Sequence, residues 1–114
     1  MKPIAMAFPV LPGKTEKARQ FMKSLRTEHA REFAALEKKL KTTKEAVFLQ
    51  TSPQGDMIID YYECASPEKS AEALAKSKDK FAMWMKSEIS DFTGIDINAM
   101  AKEPMPGQLL LFGY

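Results

Sequence analysis

The chain has 114 residues, of which 45% are apolar and 28% are charged, and this length and balance predict one folded domain spanning residues 1–114. Its 17 basic and 15 acidic residues leave a formal charge of only +2, which argues against a nucleic-acid or membrane partner. A single cysteine, with no recognisable secretion signal or membrane-spanning run, predicts a cytoplasmic protein.

The first part of the chain carries one strand pattern and one long helix pattern. From residue 3 to residue 10, large apolar residues alternate with proline and alanine, as is typical of a strand. A helix is then predicted from Thr15, a suitable N-cap, to Lys41; a helix of this length is unusual, so a kink or an early end is an alternative. Its apolar stripe consists of Ala18, Phe21, Met22, Leu25, His29, Phe33, Leu36 and Leu40.

The middle of the chain predicts a β-hairpin. Residues 46–51 and residues 56–64 are rich in β-branched and aromatic side chains. Between them lies Ser52-Pro53-Gln54-Gly55, with proline early and glycine late, which is a typical turn sequence.

A second helical region and a last strand complete the pattern. Residues 66–68, Ser-Pro-Glu, are a strong helix start, with serine as the N-cap and proline at the first helical position. A further helix start at Ser77 or Asp79 is left open, and Gly94 suits a C-terminal cap. Residues 109–112, three leucines and a phenylalanine, predict a short apolar strand.

The order strand, helix, strand, strand, helix, strand predicts an α+β protein of the ferredoxin-like type, with a four-stranded antiparallel sheet and helices on one face. An uncovered sheet face should alternate apolar with polar residues. Here Ile58 and Ile59 are neighbours on opposite faces, and the last strand is apolar throughout. We therefore expect a second copy to cover the free face, giving a homodimer packed sheet to sheet.

Several segments resemble the dimeric α+β barrel superfamily, in which two ferredoxin-like subunits pack their sheets together, and in particular a branch of small uncharacterised bacterial proteins in it. The segments are Glu45-Ala46-Val47-Phe48-Leu49-Gln50-Thr51, Gly55-Asp56, Tyr62-Glu63, Phe81, Trp84 and Gly94-Ile95-Asp96. Better understood relatives include cofactor-free monooxygenases, haem-degrading enzymes, lactone isomerases and sugar mutarotases. The resemblance implies a ligand pocket between sheet and helices, but no motif of an active subfamily matches, so it assigns no catalytic residue.

His29 is the only histidine and lies on the predicted helix stripe between Leu25 and Phe33. A group that titrates near neutral pH is a candidate general base. The alternative is a structural histidine bonded to backbone, which is favoured for a single residue without visible partners.

Asp60 and Tyr62 share one face of the predicted strand 56–64. A carboxylate there is costly to bury unless it is paired. If this face looks toward the helices, Asp60 can pair with His29 beside Tyr62; if it looks toward a partner subunit, Asp60 meets a cation across the interface. The sequence leaves both arrangements open and favours a position at the interface or on an exposed rim.

Bulky apolar side chains are the candidate ligand-binding residues. Aromatic and methionine stripes at helical spacing are usually core, but a pocket walled by such residues would suit a flat aromatic ligand. The residues with this role are Met22, Phe33, Phe81 and Trp84, together with Tyr62.

The sequence thus predicts a small dimeric protein that binds a small apolar or aromatic molecule between sheet and helices. The resemblance implies cofactor-free monooxygenation or isomerisation as the candidate reactions, with His29, Asp60 and Tyr62 as the catalytic candidates, and whether the protein is an enzyme is left open. One histidine and one cysteine give no metal-site spacing, and no cofactor is predicted. The alternative is a non-catalytic dimeric structural or interaction module.

Overall fold

A computed structural model describes residues 1–113, and within this range it contains three strands and five helices. The strands are β1 (Lys2–Pro9), β2 (Thr42–Gln50) and β3 (Met57–Cys64), and the helices are α1 (Thr15–Ser24), α2 (Ala30–Lys39), α3 (Pro67–Lys76), α4 (Lys80–Thr93) and α5 (Ile97–Met100). The predicted α+β class is confirmed.

The strands form one antiparallel sheet in the order β1-β3-β2. Along β3, Ile58 pairs with Phe8 and Leu49, and Asp60 pairs with Met6 and Val47. Because side chains alternate between faces, all of these residues point to the same side of the sheet. This is the side on which the helices pack, since Ile58 belongs to the same buried core as residues of α1 and α4.

The opposite side, which we call the open face, carries Ala5, Ala7, Phe48, Ile59 and Tyr61. Their register follows from the same pairing: Ala5 lies opposite Tyr61, and Ile59 lies opposite Ala7 and Phe48. Phe48 is 59% exposed, and Ala5 and Ala7 are exposed as well. The centre of this face is therefore apolar and partly uncovered, and Glu63 lies farther along the same face.

The prediction of a four-stranded ferredoxin-like sheet is wrong, because residues 109–112 form no strand and the sheet has three strands in the described part of the chain. An apolar run specifies a strand only if a neighbour pairs with it. Pro104 and Pro106 restrict the backbone just before the run. Pro3 and Pro9, near the two ends of the edge strand β1, lack the N–H that a fourth strand would need.

The long helix predicted from Thr15 to Lys41 is divided into α1 and α2. The first helix thus ends early, as the alternative prediction allowed. Ser24 donates a hydrogen bond from Oγ to the Phe21 carbonyl at 2.7 Å, and Thr27 donates to the Lys23 carbonyl at 2.9 Å. Such side chains compete with the helical backbone for its own acceptors. The chain turns through residues 25–29, so His29 precedes α2 as its N-cap residue instead of lying within a helix.

The helix boundaries in the second half follow local signals. Ser66 caps α3 by accepting a hydrogen bond from the Lys69 N–H, as predicted. Asp79, one of the two starts left open, caps α4 through the Ala82 N–H at 3.2 Å. Gly94 ends α4 with φ of 76°, which confirms the predicted C-cap. The predicted N-cap at Thr15 is wrong by one residue, because Lys14 occupies that position and Thr15 begins α1.

Candidate functional site

A cavity of about 160 Å³ lies between the helix-facing side of the sheet and the helices. Most of its wall is apolar: Met6, Phe8 and Val47 come from the strands, and Phe33 and Ile89 from the helices. The polar residues that reach it are Glu37, Thr42, Glu45, Asp60, Tyr62, Ser70 and Thr93. An engineered cavity of about 150 Å³ in another protein holds benzene, so this space fits a molecule of about one ring.

Three carboxyl groups meet at the wall of this cavity, and we call Glu37, Glu45 and Asp60 the carboxyl cluster. Glu45 and Asp60 come from adjacent strands, since Val47 pairs with Asp60 and Glu45 pairs with Tyr62. Period-2 alternation puts Glu45 and Asp60 on the helix-facing side. Glu37 comes from α2, one turn after Phe33.

Burial raises the pKa of all three carboxyl groups. It raises the pKa of Asp60 to about 9, with further increases from the hydrogen bond to Glu45 and from the negative charge of that residue. It raises the pKa of Glu45 to about 7, although the hydrogen bond from Asp60 lowers it. The pKa of Glu37 is raised as well, mainly by burial. At neutral pH Asp60 is therefore a protonated acid beside a more acidic neighbour.

Side-chain hydrogen bonds link the three carboxyl groups in the order Asp60, Glu45, Glu37. Asp60 donates to Glu45, and Glu45 in its protonated form donates to Glu37. One oxygen of Asp60, Oδ1, is buried and has no hydrogen-bond partner within the described residues. A buried carboxyl oxygen without a partner is costly, so a hydrogen bond from a bound molecule to this oxygen would be favourable.

Tyr62 adds a neutral phenol to the same wall. Burial is the main cause of a raised pKa for this group, and the nearby acids add to it. The phenol thus keeps its proton throughout the physiological range and can donate one hydrogen bond and accept another.

The structure places Asp60 and Tyr62 at the cavity, with Met22 and Phe33 among its apolar walls. Asp60 faces the helices, so the interface position that the sequence favoured for it is wrong. The reason is the strand register, which puts Asp60 on the same side as the buried Ile58.

His29 is not brought to Asp60. Its Nδ1 lies 2.9 Å from Glu32 Oε1, and its ring packs on Trp84 with centroids 4.5 Å apart. Trp84 in turn packs on Phe21 and Phe81, with centroid distances of 5.5 Å and 5.6 Å. His29, Phe81 and Trp84 form an aromatic cluster and are not among the residues that line the cavity. The prediction for His29 assumed one continuous helix with His29 on its apolar stripe. Because the chain is not helical between α1 and α2, His29 does not occupy that stripe.

Glu37 and Glu45 are the functional candidates that sequence reasoning missed. Glu45 alternates with Val47 and Leu49, so its parity already placed it on the buried side of β2. Glu37 directly follows Leu36 and lies four residues after Phe33, at the border of the apolar stripe. Acidic residues at such positions are usually exposed to solvent, so the sequence pattern alone did not identify these two as site residues.

Within residues 1–113, no three histidine, cysteine or acidic side chains lie close enough together to hold a metal ion. The carboxyl cluster, whose pKa values are raised by burial, can donate and accept protons in a largely apolar cavity. The same residues contain no helix that could span a bilayer, because none is both long and apolar enough.

Comparison with known proteins gives a family but no activity. No curated protein matches the chain, and no solved structure matches it. A family model does match residues 1–95, which include all three strands and the whole carboxyl cluster. The chain therefore belongs to the family of unknown function DUF6176.

Proposed function

We propose that this protein binds a small, largely apolar molecule in the cavity between sheet and helices and exchanges a proton with it through Asp60. The observation that carries this proposal is the buried Asp60 carboxyl in the wall of a largely apolar cavity, with one oxygen that has no hydrogen-bond partner within residues 1–113; burial raises the pKa of this carboxyl to about 9. Pairs of titratable groups whose surroundings push their pKa values apart are typical of acid and base catalysts.

The carboxyl pair suits an isomerase that moves a proton along a carbonyl compound. Glu45, which is partly ionised near pH 7, accepts a proton from the carbon next to the carbonyl, while the Asp60 O–H leaves its hydrogen bond to Glu45 and donates its one proton to the carbonyl oxygen. In the second step Glu45 gives its proton to a different carbon, and the oxygen returns its proton to Asp60. The product is therefore an isomer, and no further reactant is consumed. The cavity has room for a substrate of about one ring.

Cofactor-free oxygenation, the other reaction class implied by the resemblance to the dimeric α+β barrel proteins, begins with the same ionisation of an enol or phenol. Glu45 would be the base, and Tyr62 and Asp60 would hydrogen-bond the oxygen that becomes negative. Molecular oxygen would be the second reactant. The isomerase is the simpler proposal because the chain supplies both of its proton-transfer groups.

Deuterium exchange tests proton transfer without knowledge of the natural substrate. Cyclohexanone in D₂O at neutral pH should exchange its α-protons faster with the wild-type protein than with Asp60→Asn. After the uncatalysed rate is subtracted, the two rates should differ by about 100-fold or more, because the variant lacks the acid. Proton NMR measures the exchange. The control is Glu63→Gln, one strand position away from Tyr62 on the opposite side of the sheet. Equal rates for wild type and Asp60→Asn would contradict the proposal.

A self-association role is the second candidate, and the open face is the observation that favours it. Phe48, Ile59 and Tyr61 give this face an apolar centre that a second copy would cover. We propose a homodimer, in a reducing cytoplasm where the free and buried Cys64 stays reduced. Sedimentation equilibrium of the wild-type protein should show a dimer at micromolar concentration, and a monomer there would contradict this assignment.

A further inference from the structure

Residues 107–112, which we call the arm, carry the largest exposed apolar side chains of the described chain. They follow α5 and have no helix or strand structure. Their side chains at positions 109–112 are between 66% and 100% exposed: Leu109, Leu110, Leu111 and Phe112. Four adjacent large apolar residues in water are unusual for a folded protein, and they indicate a surface that is covered in the functional state.

The arm lies beside the open face without filling the space between them. Leu110 and Leu111, together with Pro3, Ala5 and Tyr61, line a groove of about 280 Å³. The chain's own arm therefore leaves room for a second set of apolar side chains on this face. Leu109 and Phe112, at 100% and 97% exposed, contact little of their own sheet.

The backbone before the arm favours an extended departure from the domain. Pro104 and Pro106 restrict the residues that precede them to extended conformations, and proline-rich segments are stiff spacers. The arm thus runs along the rim of its own sheet, and its two outermost large side chains, Leu109 and Phe112, are left for contact with a second copy. Exchange of such a segment between identical copies is a common route to dimers.

We infer that the arm of one copy packs on the open face of a second copy, in a reciprocal exchange that closes the proposed homodimer. This inference rests on the self-association role proposed above and names the segment that provides the contact. The arm holds no charged residue, and the open face it would cover is apolar at Ala5, Ile59 and Tyr61. In a reciprocal exchange each copy buries its own arm together with the part of its open face under the partner's arm, and both areas count toward the roughly 800 Å² per partner of a standard stable interface.

The first test measures dimerisation of an arm variant against a surface control. Leu110→Ser with Phe112→Ser removes two exposed side chains from each arm, so the fold should be unaffected, as circular dichroism would verify. The control, Met83→Ser, changes a side chain that is 50% exposed on α4. We expect the dimer dissociation constant from sedimentation equilibrium to rise by about 100-fold or more for the arm variant and by less than about threefold for the control.

The outcomes separate the two proposals. A wild-type chain that is monomeric at micromolar concentration overturns both the homodimer and the arm exchange. A wild-type dimer whose arm variant dissociates no more readily than the control overturns only the arm exchange.

A disulfide trap distinguishes exchange from an arm that stays on its own sheet. Ala5→Cys with Leu111→Cys places two thiols in the groove, and the native Cys64 is fully buried and does not compete. Oxidation should give a covalent dimer on a non-reducing gel. An internal disulfide at monomer mass, or two free thiols, would overturn the exchange.

Discussion

Replacing Asp60 with asparagine should make the protein more stable at alkaline pH, by about 3 kcal/mol or more at pH 8. The pKa of Asp60 is about 9 in the folded chain and 3.8 is its ordinary value. Between these values the unfolded chain releases the proton while the folded chain keeps it, so the unfolded state binds fewer protons. The stability of the wild type therefore falls as pH rises through this window, and the Asp60→Asn variant would avoid the loss because its amide never ionises.

Urea denaturation from pH 4 to pH 9 checks this expectation. The wild-type free energy of unfolding should decline across the range, with a slope of at most about 1.4 kcal/mol per pH unit from this one group. Near pH 4 the variant and the wild type should be nearly equally stable, because an amide resembles a protonated carboxyl. A variant that is less stable than wild type at every pH would contradict a protonated Asp60. Gain of stability with loss of proton exchange would be the trade-off expected at a functional site.

Replacing Phe92 with alanine should cost about 3–5 kcal/mol of the free energy of unfolding. Phe92 is fully buried, packs on Phe21 with ring centroids 5.5 Å apart, and lines the cavity. Its removal loses the transfer energy of a phenyl ring and enlarges a space that already exists, so the surroundings cannot collapse to fill it. The loss would approach half of the stability of a typical small domain.

Thermal and urea unfolding of Phe92→Ala would measure the effect, with Met83→Ala as a control on the same helix. Met83 is half-exposed, so its truncation should change stability by about 0.5 kcal/mol or less. A loss of less than about 1 kcal/mol for Phe92→Ala would contradict the position of this ring at the centre of the core.

Local signals predicted most of the secondary structure. The hairpin was predicted correctly, although β2 begins four residues earlier than expected, at Thr42. Ser66, Pro67 and Gly94 act as predicted because capping depends on a few neighbouring atoms. The four apolar residues after Gln108 misled the prediction, because pairing of a strand depends on a distant edge and that edge carries Pro3 and Pro9.

The candidate site was only partly predictable. Asp60 and Tyr62 stood out because a polar residue in an apolar strand needs an explanation, but the sequence did not show which side of the sheet they face. Glu45 and Glu37 reach Asp60 only once β2 and α2 are packed. His29 was selected from a helical stripe that the structure interrupts after Ser24. Local periodicity was insufficient because the cluster depends on packing between separate elements.

The most direct test of Asp60 as the proton donor is a ¹³C NMR titration of its side-chain carboxyl, with and without cyclohexanone. Assignment would come from the signal that disappears in Asp60→Asn. We expect a pKa near 9 for the free protein and a change in the Asp60 signal when the ketone binds, because Asp60 lies in the cavity wall. A carboxyl that titrates near pH 4 and does not respond to the ketone would contradict the proposed proton donor.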